Sequence, residues 1–209
     1  MPDIVIFDLD GTLIDSAKTA HAAVSHCARE HGLPPVSEAD VRAAIGIPNP
    51  DFYYRLYPDY LREQVAAFGH QVEKREDQVT REIGAALAFP GVPALLDSLK
   101  RDGFSLYIAS TGDEMHVHGA LEATGLGKYF DGIHCGEADK AGMLQRILSA
   151  RPSQSAVMVG DTAIDANAAR ENGIPSIGAG YGYCSSEREY LFDRVARTVE
   201  EVAEIVHEL

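Results

Sequence analysis

Long hydrophobic runs are absent from this 209-residue chain, and so are internal repeats and low-complexity stretches. No segment is apolar over the length that a bilayer span needs, which excludes a membrane helix. Basic residues are scarce: 18 Lys and Arg stand against 32 Asp and Glu, for a net charge of −14. No basic patch can easily dominate such a field, so neither nucleic acid nor an anionic membrane is an expected partner. Cysteine is scarce too. Cys27, Cys135 and Cys184 are odd in number and widely spaced, which fits neither a disulfide framework nor a zinc cluster. Reduced thiols in a cytoplasmic chain are the expectation. The first apolar run has no basic region before it and ends in carboxylates, so it does not read as a signal peptide. What remains, 45% hydrophobic and 24% charged residues, is an ordinary globular balance. The length suits one large domain or a domain carrying an insertion.

The chemistry starts near the N-terminus. Residues 3–7, Asp-Ile-Val-Ile-Phe, form a short β-branched run, and Asp8-Leu9-Asp10-Gly11-Thr12-Leu13 follows at once. Such a run ended by a glycine turn reads as a buried strand. Asp8 and Asp10, at i and i+2 of an extended chain, then point to the same side. Two carboxylates that close demand a cation or a proton between them.

Helices are expected over residues 17–31, with Ser16 as N-cap, and 38–45, opened by a Ser37/Asp40 capping pair. Gly46, Pro48 and Pro50 break the chain, and residues 51–57 carry Phe52, Tyr53, Tyr54 and Tyr57. Further helices are expected over 59–74 and 77–88, from apolar residues at helical spacing. From residue 89 the pattern changes. Strands over 104–109, 131–135, 155–159 and 174–178 alternate with helices over 92–102, 114–124, 140–150 and 163–172. A Gly/Tyr/Ser loop spans 179–186, and a last helix over 199–208 opens on a Thr198/Glu201 box. Alternation of this kind implies right-handed crossovers and a parallel sheet covered on both faces. The expected fold is a doubly wound α/β core (1–15 and 89–209) with an all-helical cap (16–88) inserted after the first strand.

In such folds ligands bind beyond the C-terminal ends of the strands. Three strand ends carry polar chemistry: Asp8/Asp10, Ser110/Thr111 and Asp161. With the first strand central and the 104–109 and 155–159 strands beside it, all three converge. Asp165 lies about one helical turn beyond Asp161, so both can face one point. Carboxylates gathered at one sheet edge call for a hard cation, and Mg²⁺ suits oxygen ligands. Ser110 and Thr111, with nearby amides, can seat a phosphate oxygen, and Lys140 can neutralise it. His116 and His118 do not share a helix face and read as surface residues rather than metal ligands.

These residues resemble the haloacid dehalogenase superfamily, in its phosphoglycolate-phosphatase-like branch with a helical cap. The resemblance rests on Asp8-Leu9-Asp10-Gly11-Thr12-Leu13, Ser110, Lys140 and Gly160-Asp161-Thr162-Ala163-Ile164-Asp165, in the family's order, with Pro90-Gly91-Val92 and Gly180-Tyr181-Gly182 in support. Two stretches depart from its pattern: Thr111-Gly112-Asp113 stands where Asn-Lys is frequent, and Ala141 follows Lys140 where Pro is common. The resemblance implies that Asp8 is the nucleophile and Asp10 the acid and base, with the proton favoured on Asp10 and Asp8 kept ionised by metal. It implies Mg²⁺ held by Asp8, the Asp10 carbonyl, Asp161 and Asp165, and phosphate held by Ser110, Thr111 and Lys140.

The implied activity is hydrolysis of a small phosphorylated metabolite: phosphoglycolate, a sugar phosphate or a nucleoside monophosphate. A phosphoglucomutase-like transferase and a non-catalytic module on the same fold are the alternatives. Arg42, Arg55 and Tyr54 are the cap residues expected at the substrate. Monomer and homodimer both fit the sequence.

Overall fold

The structure, a computed structural model, describes residues 2–47, 49–151 and 155–209; Pro48, an expected chain break, lies outside them. The chain begins with β1 (Ile4–Phe7) and passes into four helices, α1 (Ala17–His31), α2 (Glu38–Ala44), α3 (Asp51–Leu56) and α4 (Arg62–Ile83). It then alternates: α5 (Val92–Arg101), β2 (Ser105–Ala109), α6 (Glu114–Thr124), β3 (Gly132–His134), α7 (Lys140–Ala150), β4 (Ala156–Gly160), α8 (Ala163–Glu171) and β5 (Ser176–Ala179). A short β6 (Arg194–Ala196) and α9 (Val199–Glu208) close it.

The described strands form one parallel sheet in the order β3-β2-β1-β4-β5-β6. β1 is central, with β2 and β4 on either side, the arrangement under which the three strand ends converge. Its residues alternate between two layers. Val5 and Phe7 pack with Leu96, Leu99, Val117, Leu121 and Val202, from α5, α6 and α9. Ile4 and Ile6 pack on the other face with Met143, Leu144, Ala168 and Ala169, from α7 and α8. A sheet buried on both faces needs near-continuous apolar strands, and β1 supplies one.

The helices α1–α4 build a separate apolar cluster. Val24, Val41, Phe52, Tyr53, Tyr57, Val65, Phe68 and Val72 are among its buried members. Phe68 sits edge-on to Tyr53 and Tyr57, with ring centroids 6.0 and 5.2 Å apart, a favoured quadrupole arrangement. Gly69 lets Tyr53 lie against α4: a Cβ there would meet the ring at 2.7 Å.

Several boundaries differ from expectation. One helix, α4, runs unbroken through Arg75-Glu76, where a gap between two helices was expected, because nothing there interrupts the helical backbone. Residues 51–56 are helical. β6 is too short and too polar to show an alternating pattern. Ser16 does not cap α1; its backbone is already helical, and its hydroxyl makes no capping bond. Ser37 and Thr198 do cap, accepting from Asp40 N and Glu201 N. Among the described residues no helix is long and apolar enough to cross a membrane, and Cys27, Cys135 and Cys184 are free.

Candidate active site

Three adjacent strands deliver their last residues to one place. β1 runs into Asp8, β2 into Ser110 and β4 into Asp161, all buried. From the start of α7, Lys140 reaches across the sheet edge. Its Nζ donates to Asp8 Oδ1 and Asp165 Oδ1, each at 2.6 Å. Asp139 aims it by capping α7, accepting from Gly142 N at 2.9 Å. A Cβ on residue 142 would collide with that carboxylate, so glycine follows Lys140 closely because the cap leaves no room.

Asp165 has two tasks. One oxygen takes Lys140. The other takes Thr162 N at 2.9 Å, Thr162 Oγ1 at 2.7 Å and Asp161 N at 3.2 Å, closing the N-terminus of α8. Asp161 Oδ1 accepts from Thr12 Oγ1 at 3.2 Å. Asp8, Asp161 and Asp165 each offer an oxygen within 4.8 Å of the others. Three buried carboxylates share one lysine, so the cluster is short of positive charge. Burial, with the neighbouring carboxylates, pushes Asp8 and Asp161 well above the usual carboxylate range, against the pull of Lys140. Burial would lower Lys140, but Asp165 and Asp8 outweigh it and hold it charged. An all-oxygen donor set with a deficit of cation is one that could hold a hard metal ion. Ser110 Oγ accepts from Gly112 N at 3.1 Å. Ser110 and Thr111 line a small recess with Asp8, Asp10 and Lys140.

Asp10 borders the same recess, but its carboxylate has a partner of its own. Its carboxylate meets His116 Nε2 at 2.9 and 3.1 Å. His116 is therefore not a surface residue, and the expectation fails for a local reason. Asp113 N-caps α6 by accepting from His116 N at 2.9 Å, which fixes the first turn with His116 facing the strand ends. His118, two residues on, is exposed as expected. The same cap accounts for Asp113, the acidic residue that departs from the family pattern. The proton balance is reversed as well. Burial alone would raise Asp10, but the charge and hydrogen bond of His116 hold it below the usual range. Asp10 in turn lifts His116 to about 10, against its burial. These shifts favour the proton on the imidazole rather than on Asp10, where it was expected.

Beyond Asp10 lies a cavity of about 390 Å³ between the α/β core and α1–α4. Core residues on its wall include Thr111, Asp113 and His116; the helical side gives Ser16, Ile45, Asn49, Phe52, Tyr53 and Glu76. Burial raises Glu76 to about 7, although His116 and a 3.0 Å bond from Thr19 Oγ1 oppose it. Ser16 Oγ makes no hydrogen bond of normal geometry, yet lies near enough to Asp10 to favour its charge. Arg42, Tyr54 and Arg55 are not on this wall. Arg42 bonds Glu38 at 3.1 Å and stacks over the Tyr183 ring. Tyr54 takes the Arg62 guanidinium on its ring. Arg55 is exposed. On the short helix α3 the inward pair is Phe52 and Tyr53, so their two successors point elsewhere.

The chain matches the haloacid dehalogenase-like hydrolase family over residues 5–179. It belongs to that family. A phosphoglycolate phosphatase of Agrobacterium fabrum is 32% identical over 191 residues, covering 86% of this chain and 81% of that one. The tyrosine-protein kinase PtkA of Mycobacterium tuberculosis is 31% identical over 215 residues, covering all of this chain and 71% of its own. Among solved structures, a haloacid dehalogenase-like family hydrolase of Streptococcus pneumoniae superposes with a TM-score of 0.85 at 24% identity, covering 98% of each chain. This haloacid dehalogenase-like chain is thus a hydrolase with a Rossmann-like core and a helical cap, in a branch that includes phosphoglycolate phosphatases.

Proposed function

We propose that this protein is a Mg²⁺-dependent phosphatase acting on a small phosphorylated metabolite through an aspartyl-phosphate. The observation that carries the proposal is Lys140, buried and held at 2.6 Å by both Asp8 and Asp165, beside Asp161.

An Asp8 oxygen attacks phosphorus, and the bond from phosphorus to the leaving oxygen breaks. The Asp10–His116 pair, which holds one proton between its two groups, passes that proton to the leaving alcohol. Asp10 then takes a proton from water, the water oxygen attacks phosphorus, and Asp8 is released. Ser110, Thr111 and Lys140 hold the phosphoryl oxygens. Asp8, Asp161 and the Asp10 carbonyl would hold Mg²⁺, with Asp165, whose oxygens are already engaged, acting through its charge and through water. When bound, the ion keeps Asp8 ionised and offsets the repulsion between nucleophile and phosphate. Residues 16–88 act as the cap, hinged near 13–17 and 87–91, and close the cavity against water. A cytoplasmic setting suits the free thiols.

The phosphoglycolate phosphatase relative supports a substrate of metabolite size. The relative named as a kinase supports a second reading, phosphoryl transfer from Asp8 to an acceptor other than water, of which a mutase is one form. One experiment tests both. An aryl phosphate is hydrolysed with Mg²⁺, not with EDTA, and not by Asp8→Asn. Single-turnover release of inorganic phosphate supports the phosphatase; a phosphorylated acceptor in place of free phosphate supports the transferase. Turnover that ignores both Mg²⁺ and Asp8→Asn removes both.

A further inference from the structure

We propose that the alcohol released by this site carries a positive charge: the substrate class is the phosphomonoester of an amino alcohol or amino sugar. This rests on the phosphatase proposal and adds the leaving group to it.

The phosphoryl end has its cations, in Lys140 and in the ion that the carboxylate triad suits. The cavity beyond Asp10 has none to spare. Among the described residues its one basic side chain is His116, whose ring nitrogen contacts both Asp10 oxygens. Glu76, from α4, and Asp113, at the exposed start of α6, line the same space. An adjoining recess of about 50 Å³ adds Asp77 and Glu73, the latter held by Asn49 at 3.0 Å and His70 at 3.3 Å. A carboxylate or second phosphate on the leaving group would meet an excess of negative charge here, inside a chain whose net charge is already −14.

An ammonium group would meet the opposite. Glu76 is half-buried with a hydroxyl, not a cation, as its hydrogen-bond partner, so a bound cation would relieve it. Phe52 and Tyr53 stand on the same wall, and aromatic rings near a carboxylate suit an ammonium group better than an anion. Ser16, 1% exposed, lines this cavity; its hydroxyl lies near Asp10 without a hydrogen bond of normal geometry, and the oxygen lone pairs can accept from an N–H donor. The arginines that would have read a second anion lie off the wall.

Three phosphates on one two-carbon frame isolate the charge: phosphoglycolate, 2-hydroxyethyl phosphate and phosphoethanolamine. With Mg²⁺, kcat/KM should rise in that order, with about tenfold or more between the ends. Glucosamine 6-phosphate should likewise exceed glucose 6-phosphate. The preference should shrink with added salt in the wild type, and shrink in Glu76→Gln. An order led by phosphoglycolate, or a ratio unmoved by both Glu76→Gln and salt, overturns the assignment. An Asp8-dependent aryl phosphatase with that result leaves the phosphatase standing. No turnover of any phosphate, the aryl ester included, removes both.

Discussion

Asp8 faces a buried cluster of carboxylates and one lysine from the α/β core, whereas Asp10 faces a cavity that core and cap share. The two carboxylates leave one strand two residues apart, yet their proton affinities move in opposite directions. Asp8 is raised because burial and other carboxylates outweigh one lysine. Asp10 is lowered because one imidazolium outweighs its burial. The same residue type is thus set for two tasks by its surroundings, a division familiar from paired catalytic carboxylates. The core side is fixed by strand ends and helix caps. The cap side depends on which residues a separate helical cluster presents.

The sharpest way to break this contrast is to neutralise its core side. Asp8→Asn should lower Mg²⁺-dependent phosphate release by roughly 10³-fold or more, because no other group can form the aspartyl-phosphate. Thermal unfolding should show the variant folded and no less stable, since it removes one of three crowded carboxylates. Rates within tenfold of wild type would dismiss Asp8 as nucleophile. Removing the cation instead should unfold the cluster. Lys140→Met leaves buried carboxylates unpaired, and urea denaturation in EDTA should show a loss of about 3–5 kcal/mol. Mg²⁺ should recover part of it, because an ion at the triad supplies the missing charge only in the folded state. An equal loss with and without Mg²⁺ would separate the triad from metal binding.

These two predictions rest on residues legible before any coordinates. Asp8, Ser110 and Asp161 each end an apolar strand, and strand ends on a doubly wound sheet converge by topology. Lys140 and Asp165 sit at or near helix starts, where one turn of geometry suffices to aim them. The cap side was not legible in the same way. His116 carries no signal of its own; only Asp113 as N-cap, three residues before it, places it against Asp10. Glu76 lies mid-helix in α4, where one acidic residue among many gives no sign of facing inward. Arg42, Tyr54 and Arg55 were chosen for their chemistry, but the α3 helix turns Phe52 and Tyr53 inward instead. Residue type marks chemistry at a strand end, whereas on a helix the face decides, and short helices leave the face ambiguous.

The cap side can be perturbed through pH. His116 is raised from 6.5 to about 10 in the folded protein. Its pairing therefore stabilises the fold fully below about pH 6.5 and ceases to do so as pH rises through about 10. The stability difference between wild type and His116→Gln should be level from about pH 5 to 6.5, then fall steadily toward pH 10. Parallel denaturation curves across that range check it. A difference that grows with pH would mean that the imidazole is neutral when paired.

The smallest expected effect lies where the two halves join. Tyr183, in the loop after β5, reaches back to the start of α1. Its hydroxyl donates to Asp15 Oδ1 at 2.6 Å and accepts from Ala17 N at 2.7 Å. The ring packs on Gly11, where a Cβ would collide with it, and lies beneath the Arg42 guanidinium at 4.8 Å. One side chain thus ties the turn after β1 to the first helix of the cap. Tyr183→Phe keeps the ring and deletes both hydrogen bonds, so it should cost about 1 kcal/mol at neutral pH. Burial would raise Asp15, but Tyr183, Lys18 and Arg42 together hold it below the usual range. Stability from a depressed carboxylate is present above its unfolded value of about 4 and is lost as pH falls through the folded value. The deficit of Tyr183→Phe should therefore narrow below about pH 4, because protonated Asp15 no longer needs the donor. Urea denaturation of both proteins at pH 7 and pH 3 measures this, and a deficit of equal size at both would assign the loss to Ala17 N alone.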